Sequence, residues 1–240
     1  MRTALLTVSL LAVLGAATAA AQSCYVIDKA GVKINGDELA ATATGDLTLK
    51  LGAASRQFKA GTYRLAYIPR PREVEALEKA LQQKGYDTVV EKAPALYQRF
   101  KFLGWGGYIA ALQSQAHLAK GEADKGLRVI TAAEEFAGVH TDQVLKAKIS
   151  ALVELGKTAE AEPLLKRLRA AESDEIAAFA FLTSGRLLAK QDRPKDAILQ
   201  YLKTVLLFKD GVADAEKQEA RRQVAALLKQ IGDPRAKQFE

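Results

Sequence analysis

FAFLTSGRLLAKQDRPKDAILQYLKTVLLF, residues 179–208, is the stretch whose reading decides the fold of this 240-residue chain. Its buried-type positions fall at Ile176 (just upstream), Phe179, Thr183 and Leu187, and then at Ile198, Tyr201, Val205 and Phe208. Both series advance by three or four, the spacing of a helix that buries one face. Asp192-Arg193-Pro194 lies between them. Aspartate caps helices, and proline is tolerated in a first turn, where the amides have no intrahelical partner. The stretch therefore predicts a helix hairpin with Asp192 capping the second helix. Gly185 and Ala197 would lie where the two helices come closest, with Phe181 and Tyr201 filling the gaps beside them.

Phe181, Ser184, Gly185 and Leu188 stand at the spacing of the W-x2-L-G-x2-Y half of the tetratricopeptide pattern, with Phe, Ser and Leu substituted; Ala197 and Tyr201 stand at that of the A-x3-F half. The stretch resembles one tetratricopeptide repeat. The resemblance implies stacked helix pairs, each contacting only its neighbours, in a superhelix. Working outward, Gly85, Gly121, Gly156 and Asp192 occupy equivalent turns at steps of 36, 35 and 36 residues, close to the family's length of about 34. The expected pairs are 71–103, 105–137, 141–170 and 173–208. Pro94 and Pro163 fall inside second helices, where proline costs a backbone hydrogen bond unless the helix starts late or bends. Beyond Gly211, a helix over 213–230 carries Val224, Leu227, Leu228 and Ile231 on one face, a form suited to closing the end of a solenoid.

Upstream of Pro69-Arg70-Pro71 the pattern changes. Glycines 31, 36, 45, 52 and 61 punctuate short alternating runs. Asn35-Gly36, between Val32-Lys33-Ile34 and Asp37-Glu38-Leu39, is a strong signal for a two-residue hairpin. Leu47, Leu49 and Leu51, and later Tyr63, Leu65 and Tyr67, alternate with more polar residues, as in strands with one wet face. Four or five antiparallel strands are expected, in a module so small that it needs the following helices as a partner surface. The fold class is therefore mainly α, a tetratricopeptide-like solenoid (70–211) with a C-terminal capping helix (212–240), preceded by a small antiparallel β module (22–69).

At the N-terminus, Arg2, the apolar run Ala4–Ala17 and Ala19-Ala20-Ala21 have the order of an export signal, with cleavage expected after Ala21. The run is too short to span a bilayer, and no later stretch is long and apolar enough to do so. A periplasmic or extracellular location follows. Cys24 is the single cysteine, so no intrachain disulfide can form. Gln22 suits a lipid-acceptor cysteine badly, which leaves Cys24 as a small apolar residue opening a strand.

The net charge of +7 is spread out. Residues 22–70 hold seven Lys and Arg against four Asp and Glu, and residues 71–240 hold 27 against 24. With no basic block and an export signal, nucleic acid is excluded as the expected partner; weak attraction to an anionic envelope polymer is compatible with the charge. Enzyme constellations are nearly absent: no GxSxG, HExxH or GxGxxG occurs, and the carboxylates are scattered over helix surfaces with no spacing that supports a catalytic pair. His117 and His140 have no partner at metal-ligand spacing: His117 reads as a buried structural residue, His140 as a solvated one preceding Thr141, an expected N-cap. Gly156-Lys157-Thr158 copies the end of a phosphate loop, but Ala151 stands where that loop needs glycine, so an inter-helix turn capped by Thr158 is expected. No cofactor, metal or catalytic site is expected, and the expected function is that of a non-enzymatic adaptor.

Two groups of residues remain candidates for binding. Tyr97, Phe100, Phe102, Trp105 and Tyr108 fall within twelve residues and read either as an exposed platform for a peptide or sugar ring or as a hydrophobic joint between the β module and the first helices, the reading preferred because the small sheet needs a partner. An envelope glycan binder is the alternative function carried by the platform reading. The tetratricopeptide resemblance further implies a peptide-binding groove lined by first helices, here Gln115, Gln143, Lys146, Ser150, Arg186 and Lys190. Lys146 matches one lysine of that family's carboxylate-binding pattern, Ser150 replaces its asparagine and Phe179 its other lysine. With three cations and no acid among these positions, an extended acidic partner is expected.

Overall fold

The computed structural model describes residues 24–239; the expected export signal and its cleavage point lie outside the described residues. Six strands come first among them: β1 (Cys24–Asp28), β2 (Lys33–Gly36), β3 (Glu38–Ala41), β4 (Leu47–Leu51), β5 (Ala54–Phe58) and β6 (Tyr63–Tyr67). They form two antiparallel three-stranded sheets, ordered β2-β1-β6 and β3-β4-β5.

Asn35-Gly36 does not make the expected hairpin. β2 pairs with β1 and β3 with β4, so the chain crosses from one sheet to the other at this point. The Asp37 amide donates to Lys50 O at 2.9 Å. Gly36 passes so close to β4 that a Cβ there would lie 2.5 Å from both Leu49 Cδ1 and Lys50 O. Its glycine serves close approach between backbones, which the dipeptide signal does not distinguish from a turn. The burial of β6 also differs from expectation. Ala66 is the buried residue, level with Val26 across the sheet, while Tyr63, Leu65 and Tyr67 on the opposite face are half-buried. Both faces of this strand are covered, so alternation in residue size misleads. In β4, Leu47 and Leu49 are buried and Leu51 is exposed.

The rest is mainly helical: α1 (Arg72–Gln82), α2 (Tyr86–Phe100), α3 (Gly106–Ala119), α4 (Ala123–Ala132), α5 (Thr141–Glu154), α6 (Thr158–Arg169), α7 (Asp174–Lys190), α8 (Pro194–Leu206) and α9 (Asp214–Gln230), with short 3-10 turns at Lys101–Leu103, Glu134–Phe136, Gly138–His140 and Pro234–Gln238. α2 and α6 run through Pro94 and Pro163. Both prolines are exposed, where water can take up the carbonyl that each leaves unbonded.

One turn recurs. Residues in the left-handed region stand two positions beyond α1, α3, α5, α7 and α9, at Lys84, Gly121, Gly156, Asp192 and Gly232. The residue after each donates its amide back into the helix: Gly85 to Ala80 O, Glu122 to His117 O, Lys157 to Leu152 O, Arg193 to Leu188 O and Asp233 to Leu228 O. This is the Schellman closure, which satisfies carbonyls that a helix end leaves open. It moves the first equivalent position from Gly85 to Lys84. Three capping expectations are also corrected. Asp192 ends α7 rather than capping α8, whose N-cap is Arg193. Thr158 is the first residue of α6, its hydroxyl turned back to Gly156 O. His140, not Thr141, is the N-cap position of α5.

Each helix packs on its chain neighbour, and α1, α3, α5, α7 and α9 also pack successively on one another. The strands share one core with the first helices: Val26, Leu39, Leu47, Leu49, Phe58 and Ala66 continue into Val74, Val89, Phe100, Trp105, Ile109 and Leu112. The module therefore rests on α1–α3, as its size requires. Cys24, buried at the start of β1, belongs to the same core. Smaller cores follow under α3–α5, α5–α7 and α7–α9.

Candidate functional site

A close helix contact lies where the small residues predict it. A Cβ on Gly185 would lie 2.5 Å from a ring carbon of Tyr201. Tyr201 is 1% exposed, and burial pushes its pKa up to about 12. Ala197 is buried beside it. Leu188 and Phe181 are half-buried; Phe181 turns toward Phe208, with ring centroids 6.2 Å apart.

The aromatic cluster forms the joint between sheet and helices. Trp105 is 4% exposed, and its Nε1–H donates to Ile68 O at 2.9 Å. Its ring meets Tyr67 at 5.8 Å, and Tyr67 stacks on Tyr25 at 5.2 Å, carrying a line of rings across the first sheet. Phe100 is buried; Tyr97 and Phe102 pack edge-on against Phe136, with the Lys101 ammonium over all three rings. A sugar platform needs open ring faces; Phe100 and Trp105 are buried, while Tyr97, Phe102 and Tyr108 are half-buried against the joint. His140 belongs to this joint rather than to solvent. Its ring lies 4.6 Å from Trp105 and 4.9 Å from Tyr108, Nε2 is buried with no partner, and burial, aided by the Arg70 charge, lowers its pKa. His117 is buried as expected, with Nδ1 2.7 Å from Glu122 Oε2.

The groove positions are on α3, α5 and α7, but no field of one sign results. Lys190 Nζ is 2.7 Å from Glu154 Oε2. Arg186 is 3.7 Å from Glu219 of α9, a carboxylate also held by Arg222. Lys146 Nζ lies 5.2 Å over the Phe179 ring, close enough to Glu175 to help lower that carboxyl's pKa. Acids from neighbouring elements compensate the cations that the residue list presents as bare, because ion pairs between helices do not follow sequence spacing. Gln115 and Gln143 are exposed and Ser150 is half-buried.

A different feature opens over α7. α6 and α8 stand on either side of it, and between them is a cleft of about 440 Å³, within the size range of small-ligand pockets. Leu165, Phe181, Leu187 and Leu188 supply its apolar surface, with Leu199 on the α8 wall, 57% exposed. Arg169, Lys203, Gln200, Glu162 and the Arg193–Asp196 ion pair supply the polar groups. Arg169 Nη1–H donates to Ser184 Oγ at 2.6 Å, and the Ser184 hydroxyl donates to Ala180 O at 2.7 Å. Lys203 Nζ lies 5.7 Å from the centre of the Phe181 ring. Sequence reasoning missed this cleft. One available signal was Leu199, a leucine off the buried register of α8 and exposed on the cleft wall.

Comparison of the chain with protein-family models, with curated proteins and with solved structures finds no match.

Proposed function

We propose that this protein is an exported, non-enzymatic adaptor that binds a peptide segment of a protein partner on a tetratricopeptide-like stack of helix pairs. The observation that carries the reading is the repeated architecture: five first helices packed in succession, each ended by the same turn. Stacks of this kind present long continuous helix faces, and such faces suit extended peptides. The Gly185–Tyr201 contact supports the family likeness at the hairpin where the motif is clearest. Export rests on the order of charge, apolar run and small residues at the N-terminus. No helix of the described residues is long and apolar enough to cross a membrane.

The test is crosslinking of the intact protein in the cell, followed by affinity capture and N-terminal sequencing of the captured chain. A discrete protein in stoichiometric amount and a chain starting at Gln22 are expected. Capture of cell-wall polymer with no protein would favour the glycan alternative, and an uncleaved N-terminus would overturn export. The whole protein is required, because a fragment ending at residue 103 would lose Trp105, Ile109 and Leu112 from the core beneath the sheets.

A further inference from the structure

The cleft between α6 and α8 differs electrostatically from the face lined by α3, α5 and α7. On that face Lys190 and Arg186 each have a carboxylate. In the cleft, Arg193 is matched by Asp196, but among the described residues neither Arg169 nor Lys203 has a carboxylate within ion-pair distance. The only side-chain hydrogen-bond partner of Arg169 there is the neutral Ser184 hydroxyl. That bond orients the guanidinium while leaving its charge uncompensated and several of its five donors free. A fork held in this way suits a carboxylate, which it can bind through two parallel hydrogen bonds. Lys203 adds a second positive charge above the Phe181 ring. Beside these cations is partly open apolar surface: the exposed Leu199 and the half-buried Phe181 and Leu188.

We propose that this cleft is the peptide-binding site and that its occupant is a short acidic peptide segment, one carboxylate held between Arg169 and Lys203 and an adjacent apolar side chain resting on Phe181, Leu188 and Leu199. The inference rests on the adaptor reading above and moves the site from the expected groove to the opposite side of α7. Glu162, exposed on the rim, sharpens the selectivity. It repels a second acid and accepts a backbone N–H, so the cleft prefers one carboxylate next to an apolar residue over a polyacidic run.

The experiment uses three N-acetylated hexapeptides and the isotope-labelled full chain, followed through its amide resonances at up to millimolar peptide. The first alternates Leu and Glu with an amidated C-terminus. The second replaces Glu by Gln. The third is the Gln peptide with a free C-terminal carboxylate, which separates a side-chain acid from a chain end. The Glu peptide, the free-acid peptide or both should shift amides of α6, α7 and α8, and the Gln amide should not. Arg169→Gln with Lys203→Gln should weaken binding at least tenfold; Lys146→Gln with Arg186→Gln should leave it unchanged, with thermal melts showing all variants folded. If Arg169→Gln lowers the melting temperature, Lys203→Gln alone, on an exposed residue, should still weaken binding several-fold. Equal binding of all three peptides, unchanged affinity in the Arg169/Lys203 variants, or no shift in the cleft with either acid would overturn the proposal. Shifts confined to the face of Gln115 and Gln143 would overturn the cleft and leave the adaptor reading standing.

Discussion

The α7–α8 hairpin and the strand region meet the same need, burying apolar surface on elements too short to be stable alone, with contacts of opposite range. In the hairpin, Gly185 meets Tyr201 across a single turn. In the strand region, Val26 pairs with Ala66 at the far end of the module, and Trp105 reaches back 37 positions to Ile68. The hairpin carries its own core with α9, whereas the sheets have no core without α1–α3. Local packing leaves a periodic trace in the chain, and non-local packing leaves almost none. The two regions should therefore fail separately when struck separately.

Trp105→Ala should have the largest effect, about 3–5 kcal/mol, as for other buried aromatic truncations. Hydrogen exchange should show protection lost through the strands and α1–α3, with α7–α9 largely retained. Equal loss in both regions would break the comparison. Trp105 is the only tryptophan, so its emission should be blue-shifted in the intact protein and move to the red once the joint is opened.

Gly185→Leu is the reciprocal strike. The inserted side chain would meet the Tyr201 ring, and overpacking of this kind costs about 1–3 kcal/mol, occasionally more. Denaturant titration followed by circular dichroism should show the loss, and exchange should place it in α7–α9. An unchanged melt would show that the two helices are not in close contact.

Lys217 sharpens the picture of the C-terminal region. It is 6% exposed, and its ammonium binds Phe208 O at 3.3 Å, Lys209 O at 3.1 Å and Asp210 Oδ1 at 3.0 Å. Lys217→Met keeps the stem but leaves those acceptors without their donor. A cost of about 1–3 kcal/mol in the urea midpoint is expected.

The smallest effect is expected from pH at His140. Burial against Trp105 and Tyr108, with Arg70 nearby, holds its pKa below the ordinary 6.5. The unfolded chain then takes up the proton before the folded one does. The stability tied to neutral His140 is complete above pH 6.5 and is lost as the pH falls below it toward the lowered folded value. His140→Gln should flatten this part of the Tm–pH curve. A Tm that rises on acidification in the parent and not in the variant would reverse the assignment.

The legibility of the chain follows the same division. The hairpin, the alternation of helix pairs and the Gly185–Tyr201 contact could be read because each depends on spacing within a few turns of helix. Gly36 was misread because the same Asn-Gly pair serves a tight turn or a close crossing, and only the partner strand distinguishes them. Ala66 was overlooked because a strand covered on both faces does not advertise its buried side by residue size. In the candidate groove, Lys190 and Arg186 appeared as free charge because Glu154 and Glu219 come from other helices. The cleft was missed for the converse reason: Arg169 and Lys203, more than thirty residues apart, line one cleft only when α6 and α8 flank α7.

The most direct test of the functional account is photo-crosslinking from defined positions in the intact protein in the cell. A photoreactive residue is placed at Leu199, on the cleft wall, and separately at Gln143, on the α5 face; both positions are exposed. The account predicts a discrete protein adduct from Leu199, competed in the cell lysate by whichever of the Glu and free-acid hexapeptides binds the cleft and lost on Arg169→Gln with Lys203→Gln, and little from Gln143. An adduct from Gln143 alone would return the site to the first-helix face. Absence of a discrete adduct from either position would contradict the adaptor reading itself.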